Sequence, residues 1–383
     1  MSFLTVFIPS LVLTAIVGVF LALTWKVACP ARALATFWGF ALFVHLAWLA
    51  LPLLGVLAPI ARWLAIMWLG GMLAALMLLI PFAVLTALSN RNSSKGLAAA
   101  SLPIIYVSCF LLAGITLALT STASFVVRQE EVRVPGLPAG LDGFRIANLG
   151  DVHIGRFIDA KELGRGVKSI NDEKVDLLVV TGDLIDDVNQ LEISMQTLER
   201  SNTPYKIVAI LGNHEEMGDL PKILSKYDQH KARICLLVNE SIAITHDGAT
   251  LHIVGVDYPM NPKGGHMLPR PEQNAAMKAQ ADAAFTGLSK GEMILALSHH
   301  PAFFPFAAAR GAQLTLASHT HGGQLRLFAH PLIDAYPYLQ GLYRRRDSYL
   351  DVSAGFGHWL PLRFGVSREI VIITLRTESK PGN

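Results

Sequence analysis

The first 122 residues contain no aspartate or glutamate, although the chain of 383 residues has 29 acidic residues. Four apolar stretches occupy this region, at roughly residues 3–25, 33–57, 63–88 and 97–120. Each is long enough to cross the hydrocarbon core of a bilayer as a helix, which takes about 20 residues. The sequence therefore predicts a four-helix transmembrane domain over residues 1–122 and a second domain over residues 123–383.

The first apolar stretch lacks the basic amino-terminal region and the Ala-x-Ala-like exit of a signal peptide, so we expect an anchor. His45 is the only ionisable side chain deep inside a stretch. Because the region offers it no acidic partner, we expect a structural role for it. The same lack of acidic residues disfavours a transporter.

The loops between the stretches carry few charges. Lys26 and Arg32 fall in the first loop, Arg91 and Lys95 in the third, and Arg62 alone in the second. The positive-inside rule places the first and third loops in the cytoplasm. The second domain is then expected on the extracytoplasmic side.

The net charge of +3 indicates no nucleic-acid partner, because the excess comes from the first region. Subtracting its five basic residues from 32 leaves 27 against 29 acidic residues. The three cysteines form no Cys-x-x-Cys pair, which excludes a zinc-finger-type site.

Beyond residue 124 the pattern changes to short apolar runs. An opening strand is followed by FRIANLGD (144–151), VDLLVVTGD (175–183) and KIVAILGNHE (206–215), with room for helices at 159–174 and 190–201. Continuous apolar strands that alternate with helices are typical of parallel sheets in layered α/β domains. Later runs have less helix between them, which predicts a second sheet packed on the first. Residues 259–291 are interpreted as an insertion, either a loop over the site or a helical cover.

Polar clusters follow five of these runs at their carboxyl ends, where open α/β sheets bind their ligands. They supply Asp151 and His153, then Asp183, then Asn213 and His214, then His299 and His300, and finally His319 and His321. Aspartate, asparagine and histidine together suit borderline divalent ions such as Mn, Fe, Zn or Co.

The clusters GDVH, GDLID, GNHE, SHHP and SHTH occur in the order found in the calcineurin-like metallophosphoesterase superfamily, which residues 125–376 resemble. The ending, with GLYRR, YLDVSAGFG and PLRFGVSREIVIITL, resembles its bacterial membrane-associated branch. The resemblance implies an α/β/β/α sandwich with a dinuclear metal centre at the carboxyl ends of the strands. We accordingly expect a multi-pass protein of a bacterial inner membrane whose catalytic domain is periplasmic.

The resemblance also implies roles for individual residues. One ion would be held by Asp151, His153, Asp183 and His321. The other would be held by Asp183, Asn213, His299 and His319, with Asp183 shared. Manganese is favoured among the four metals. His214 would stabilise the transition state or protonate the leaving oxygen.

Four further residues are candidates for contacts around the ligands or with substrate: His300, Glu215, Arg344 and Arg345. Glu215 is expected to fix its loop rather than to react. For His300, a surface position is an equal alternative. The basic run at 344–346 could meet phosphate or lipid headgroups or be a solvated face.

Two positions depart from the superfamily pattern. Gly150 replaces the serine common before the first aspartate, and Ser318 replaces the usual glycine before HTH. Neither changes a ligand, so their effect is expected on loop geometry.

The sequence therefore predicts a membrane-anchored, metal-dependent phosphohydrolase acting on a phosphate ester or pyrophosphate. A lipid or lipid-linked substrate is favoured by the short linker after Thr120 and by the apolar loops RLFAHPL, DAYPYLQGLY and GHWLPLRF. The enzymatic alternative is a cytoplasmic-facing nucleotide-sugar-lipid pyrophosphatase of the UDP-diacylglucosamine type. The non-enzymatic one is a metal-binding sensor or scaffold, which the intact His214 and ligand set disfavour. No obligate protein partner is predicted.

Overall fold

The computed structural model describes residues 10–17, 19, 31–50, 64, 67–68, 71–72, 114, 124–155, 157–260, 268–289, 291–327, 330–331, 336–358 and 363–378. The chain divides into two compact units. One comprises Ser124–Trp359 and Gly365–Asn383, and the other comprises Ser2–Ala123 and Leu360–Phe364.

In the N-terminal unit, residues 10–17 are helical and helix α1 spans Ala31–Leu49. Among the residues described, no helix is both long and apolar enough to cross a membrane. The four predicted spans fall largely outside those residues and stay a prediction. Within α1, His45 is buried, with Nδ1 2.7 Å from the backbone oxygen of Ala41 and Nε2 3.2 Å from Ser10 Oγ. These contacts to uncharged groups agree with a structural role.

In its described residues, the C-terminal unit contains two six-stranded sheets and a small two-stranded ribbon. Its strands in chain order are β1 Val126–Val134, β2 Arg145–Asn148, β3 Leu177–Thr181, β4 Ile207–Ile210, β5 Ile234–Leu236, β6 Glu240–His246, β7 Ala249–Gly255, β8 Met293–Leu297, β9 Leu314–Ala317, β10 Arg326–Leu327, β11 His330–Pro331, β12 Gly341–Arg345, β13 Ser348–Val352 and β14 Glu369–Thr377. The first sheet has the order β1-β14-β2-β3-β4-β5, and the second β12-β13-β9-β8-β7-β6. As predicted, β2, β3 and β4 are parallel to one another. Strand β5 continues this parallel arrangement, and β7, β8, β9 and β13 form a parallel set in the second sheet.

The helices of this unit follow the strands. They are α2 Ala160–Asp172, α3 Leu191–Leu198, α4 Asn213–Glu216, α5 Leu220–Gln229, α6 Arg270–Ala284 and α7 Phe304–Ala309. Short 3₁₀ turns span Ala139–Leu141, Val188–Gln190, Pro301–Phe303 and His321–Gly323. Helix α2 begins where the Asp159 carboxylate accepts a hydrogen bond from the backbone N–H of Glu162, a common N-cap.

Strand β3 is apolar and buried on both faces, because each face packs against a different layer. Val180 packs with Leu163 of α2 in a core between the first sheet and its helices. Val179, one residue earlier and therefore on the opposite face, packs with Leu295 in a core between the two sheets. A third core lies outside the second sheet, where α6 packs on it. These layers confirm the predicted α/β/β/α sandwich.

The apolar run ICLLVNESIAI contains two strands that belong to different sheets. Asn239, with φ of 57°, lies between β5 and β6, where the chain passes from the first sheet to the second. The predicted insertion forms α6, whose Met277 packs against Ile294 of β8. The described part of the insertion is thus a helical cover on the second sheet.

Candidate metal centre

Each predicted ligand lies just beyond the carboxyl end of a strand, and both sheets contribute. Strands β2, β3 and β4 lead to Asp151, His153, Asp183 and Asn213, and strands β8 and β9 lead to His299, His319 and His321. All are buried except His319, which is half-buried. The structure therefore brings the seven ligands together at one edge of the sandwich.

The backbone at these positions is strained. Five of the seven ligands have positive φ: Asp151 at 48°, His153 at 52°, Asp183 at 52°, His319 at 74° and His321 at 49°. This left-handed conformation costs a residue with a side chain roughly 1–2 kcal/mol. Such strain persists where the surrounding structure imposes it, commonly at functional sites.

One group of ligand atoms comprises Asp151, His153 and His321, which lie within 4.8 Å of one another. The Nε2 atoms of His153 and His321 are 3.2 Å apart. Two imidazole nitrogens at this distance repel each other unless they share a proton or face a cation. The group is suited to a cation.

A second group comprises Asp183, His299 and His319, within the same 4.8 Å limit. His299 Nε2 is 3.2 Å from Asp183 Oδ2 and 3.2 Å from His319 Nδ1. Asn213, which follows the neighbouring strand β4, is buried, and its Oδ1 has no hydrogen-bond partner among the described residues. A buried amide oxygen without a partner is costly, and a metal ion would satisfy it.

The two groups meet at Asp183. Its Oδ2 lies 3.2 Å from His299 Nε2 and 3.7 Å from His153 Nε2, so one oxygen faces both groups. Its Oδ1 accepts a hydrogen bond from the backbone N–H of His214 at 2.9 Å, which fixes the carboxylate plane. The donor set therefore fits two divalent ions that share Asp183, as the sequence predicts.

Charge in the site also favours cations. Burial alone would lower the pKa of His153, but the carboxylates of Asp186, Asp183 and Asp151 raise it to about 9. His299 is similar: Asp183 and Asp151 outweigh its burial and raise its pKa to about 9. Divalent ions that enter such a site displace protons, so metal uptake releases protons.

Asp186 is a functional residue that the sequence analysis missed. Its Oδ1 lies 3.0 Å from His153 Nδ1 and 2.5 Å from His214 Nδ1, so each ring donates an N–H to it. Although burial would raise the pKa of Asp186, the two histidines hold it well below its usual range. The contacts turn both Nε2 atoms towards Asp183. The available signal was the second aspartate of GDLID.

The comparison with protein families agrees with this geometry. Residues 144–323 match the family model of the calcineurin-like phosphoesterases. These residues form a calcineurin-like phosphoesterase domain. The match covers β2 to β9 and every predicted ligand, and it confirms the superfamily expected from the sequence.

Relatives of the phosphoesterase domain occur in bacteria and animals. The chain is 27% identical over 257 residues to the uncharacterized metallophosphoesterase YkuE of Bacillus subtilis, across 65% of this chain and 85% of that protein. It is 27% identical over 263 residues to a protein of Danio rerio called transmembrane protein with metallophosphoesterase domain, across 65% of this chain but 57% of that protein. A solved dimetal phosphatase from Danio rerio shares 14% identity at a TM-score of 0.39, covering 61% of this chain and 99% of its own. The domain is that of a metal-dependent phosphoesterase.

Glu215 holds the phosphoesterase loops together. Its Oε2 accepts hydrogen bonds from the backbone N–H groups of Asp183 and Gly212, at 2.9 and 2.8 Å. Its Oε1 accepts one from Ile185 at 3.1 Å. The buried carboxylate thereby ties the loop after β3 to the loop after β4, the role expected for it.

The two departures from the family pattern lie against each other. A Cβ added at Gly150 would lie 2.7 Å from both Cβ and Oγ of Ser318, and 2.5 Å from Thr181 Oγ1. The Ser318 hydroxyl donates to the backbone oxygen of Thr181 at 2.7 Å, and this oxygen also accepts from His299 Nδ1 at 2.8 Å. Relative to the family pattern, serine and glycine have thus exchanged places across one contact. The serine hydroxyl at this contact is supplied by Ser318, in the loop after β9.

This exchange predicts coupled effects of substitution. Gly150→Ser alone is expected to lower the free energy of unfolding by about 1–3 kcal/mol, because it overpacks the contacts with Ser318 and Thr181. Ser318→Gly alone should cost about 1 kcal/mol through the lost hydrogen bond. The double variant should recover at least half of the loss in Gly150→Ser, measured by urea unfolding. Strictly additive losses would show that the two positions are independent.

The structure does not bring Arg344 and Arg345 to the metal centre. Both lie at the end of β12, which pairs with the start of β13, beside the start of β9. The ligands follow the opposite end of β9. Arg344 Nη2 lies 3.2 Å from a carboxylate oxygen of Glu378, and its guanidinium lies over the Tyr349 ring. These contacts explain its position without a substrate.

His300 lies beside the centre rather than on a remote surface. Its ring centroid is 5.0 Å from that of His319, and 8% of the residue is exposed. Burial, followed by the charges of His299 and Arg270, lowers its pKa to about 4. His300 is therefore a neutral imidazole at the edge of the ligand cluster.

Proposed function

We propose that this chain hydrolyses a phosphate ester or diphosphate at a centre of two divalent ions, with manganese favoured. The observation that carries the proposal is the position of Asp183 Oδ2, which faces both ligand groups and lies 3.9 Å from His214 Nε2. A pair of such ions, when bound, polarises the phosphoryl group and lowers the pKa of the attacking water.

His214 supplies the proton in this proposal. Its Nδ1–H donates to Asp186, so the ring is fixed with Nε2 towards Asp183. In the imidazolium form, Nε2–H donates to the leaving oxygen, and the buried Asp186 carboxylate stabilises the positive ring. Its backbone N–H bond to Asp183 keeps His214 close to the shared ligand.

We further propose that the substrate is borne by a lipid and that the N-terminal unit lies in a bacterial inner membrane. Residues 1–122 combine four apolar stretches with no acidic residue, and β1 begins at Val126, only six residues after the last stretch. The Danio rerio relative is named as a transmembrane protein, which supports the same arrangement. A domain tethered to a membrane would meet substrates confined to that membrane at a raised effective concentration.

The lipid proposal predicts a selective loss on truncation. A fragment that begins near Ser124 should cleave a small water-soluble phosphate ester about as fast as the full chain. On a phospholipid or polyprenyl phosphate dispersed in detergent, its kcat/KM should fall at least about tenfold. Equal rates on the lipid would reduce the N-terminal unit to an anchor. Equal losses on both substrates would remove the support for a lipid substrate.

The side of the membrane that the phosphoesterase domain faces can be measured with intact spheroplasts. From the loop charges, we propose that the domain faces the periplasm, so the full chain should cleave a membrane-impermeant ester added outside. Activity that emerges only after lysis would place the domain in the cytoplasm. It would then favour the nucleotide-sugar-lipid pyrophosphatase.

A further inference from the structure

His300 and two tyrosines surround the outer side of the ligand His319. The ring centroids of Tyr258 and Tyr336 are both 5.4 Å from that of His319. They are 6.0 and 5.8 Å from the centroid of His300. The chemistry proposed above assigns no role to His300 or to either tyrosine.

The hydrogen bonds of His300 fix its tautomer. Its Nδ1 accepts a hydrogen bond from the backbone N–H of Ala302 at 3.1 Å, which caps the turn Pro301–Phe303. A neutral imidazole that accepts at Nδ1 carries its proton on Nε2. No hydrogen bond within the described part of the chain engages this Nε2. His300 therefore offers a donor beside the centre that its own fold does not use.

The tyrosine hydroxyls are oriented by His319. Its Nδ1 faces the second ligand group, 3.2 Å from His299 Nε2, and would bind the ion held there. The other ring nitrogen then carries the proton and donates outwards. That nitrogen, Nε2, lies 3.3 Å from the hydroxyl of Tyr336 and 3.5 Å from the hydroxyl of Tyr258. A hydroxyl oxygen that accepts from His319 keeps its own O–H free to donate. The nearer hydroxyl, that of Tyr336, takes this hydrogen bond and its proton points away from the ligand, while the Tyr258 hydroxyl keeps its own proton available to donate.

We propose that His300 Nε2–H and the hydroxyls of Tyr258 and Tyr336 bind a non-bridging phosphoryl oxygen of the substrate. All three are donors and none carries a formal charge, which suits an oxygen that only accepts hydrogen bonds. Their position beside His319 places them next to the ion that His299 and His319 would hold. The inference rests on the proposed phosphoesterase function and adds the residues that hold the phosphoryl group.

Two substitutions of His300 distinguish phosphoryl binding by Nε2–H from capping of the turn Pro301–Phe303 by Nδ1. In His300→Asn, the side-chain oxygen replaces Nδ1 and keeps the cap, but the Nε2 donor is lost. In His300→Gln, the amide N–H replaces the Nε2 donor, but the cap is lost. Inorganic phosphate is the probe, titrated calorimetrically into full-length protein loaded with Mn²⁺.

His300→Asn is expected to raise the Kd for phosphate and the KM for an ester about tenfold, at an unchanged melting temperature. His300→Gln should keep both within about threefold of wild type and melt at a lower temperature. Tyr336→Phe should weaken phosphate binding about threefold. The matched control Tyr338→Phe, whose ring packs on Phe304 and Tyr343, should not.

The reverse order of the two His300 variants, equal losses in both, or wild-type binding in both would overturn the assignment. If the wild-type protein bound phosphate but cleaved no ester, the proposed function would fail. The phosphate affinities of the variants would still decide the role of His300.

Discussion

Asp183→Asn is expected to lower kcat/KM by roughly 10³-fold or more, a loss of about 4 kcal/mol in the transition state. It should also reduce the bound metal from about two ions per chain to one or fewer. The reason lies in the two oxygens of the carboxylate. In the variant, the remaining oxygen can still accept from the His214 N–H, as Oδ1 does now. The amide NH₂ then faces His299 and His153, where it cannot bind a cation.

A matched control lies at the other end of the same strand. Asp176 precedes β3, and its Oδ2 accepts a hydrogen bond from the backbone N–H of Arg145 at the opposite edge of the sheet. Asp176→Asn removes the same charge and retains an acceptor oxygen, so metal content and kcat/KM should stay near wild type. An Asp183→Asn variant with two ions and normal turnover would mean that the carboxylate does not bridge.

His214→Ala is expected to keep both ions and to lower kcat by roughly 10²–10⁴-fold, the usual effect of losing a general acid. The side chain is not among the proposed ligands, and its backbone N–H bond to Asp183 is retained. Metal content and single-turnover rates measured on the same preparation would separate a loss of binding from a loss of chemistry.

The leaving group provides a control for this role. An alkyl phosphate ester needs protonation of its leaving oxygen, whereas a p-nitrophenyl ester departs as a stable anion. The deficit of His214→Ala should therefore be much larger on the alkyl ester. Equal deficits on the two esters would indicate that His214 positions Asp183 instead of donating a proton.

The position of the ligands could be predicted from sequence because two simple patterns coincide. Parallel strands place their carboxyl ends at one edge of a sheet, and each cluster follows such a strand. Strand β3 illustrates this: its apolar run ends at Thr181, and Asp183 follows. The two groups of ligand atoms agree with the assignment implied by the family resemblance.

Other features depend on contacts between distant segments, which a single sequence does not display. Asp186 contacts His214, which is 28 positions away in the chain. The motif GDLID alone does not show whether its second aspartate is a buried hydrogen-bond acceptor or an exposed loop carboxylate. The Gly150 and Ser318 departures are 168 positions apart, and only the fold shows that they lie against each other. The basic run at 344–346 is exposed and does not reach the metal centre, because its strand ends away from it.

The most direct test of the two-ion centre is the metal content of the folded full-length protein, measured by inductively coupled plasma mass spectrometry after loading with Mn²⁺ and gel filtration. The shared position of Asp183 predicts about two ions per chain. It also predicts that a chelator removes both the ions and phosphoesterase activity, and that Mn²⁺ restores them together. A folded protein that retains no ion, or one that cleaves phosphate esters at full rate without any, would contradict the account.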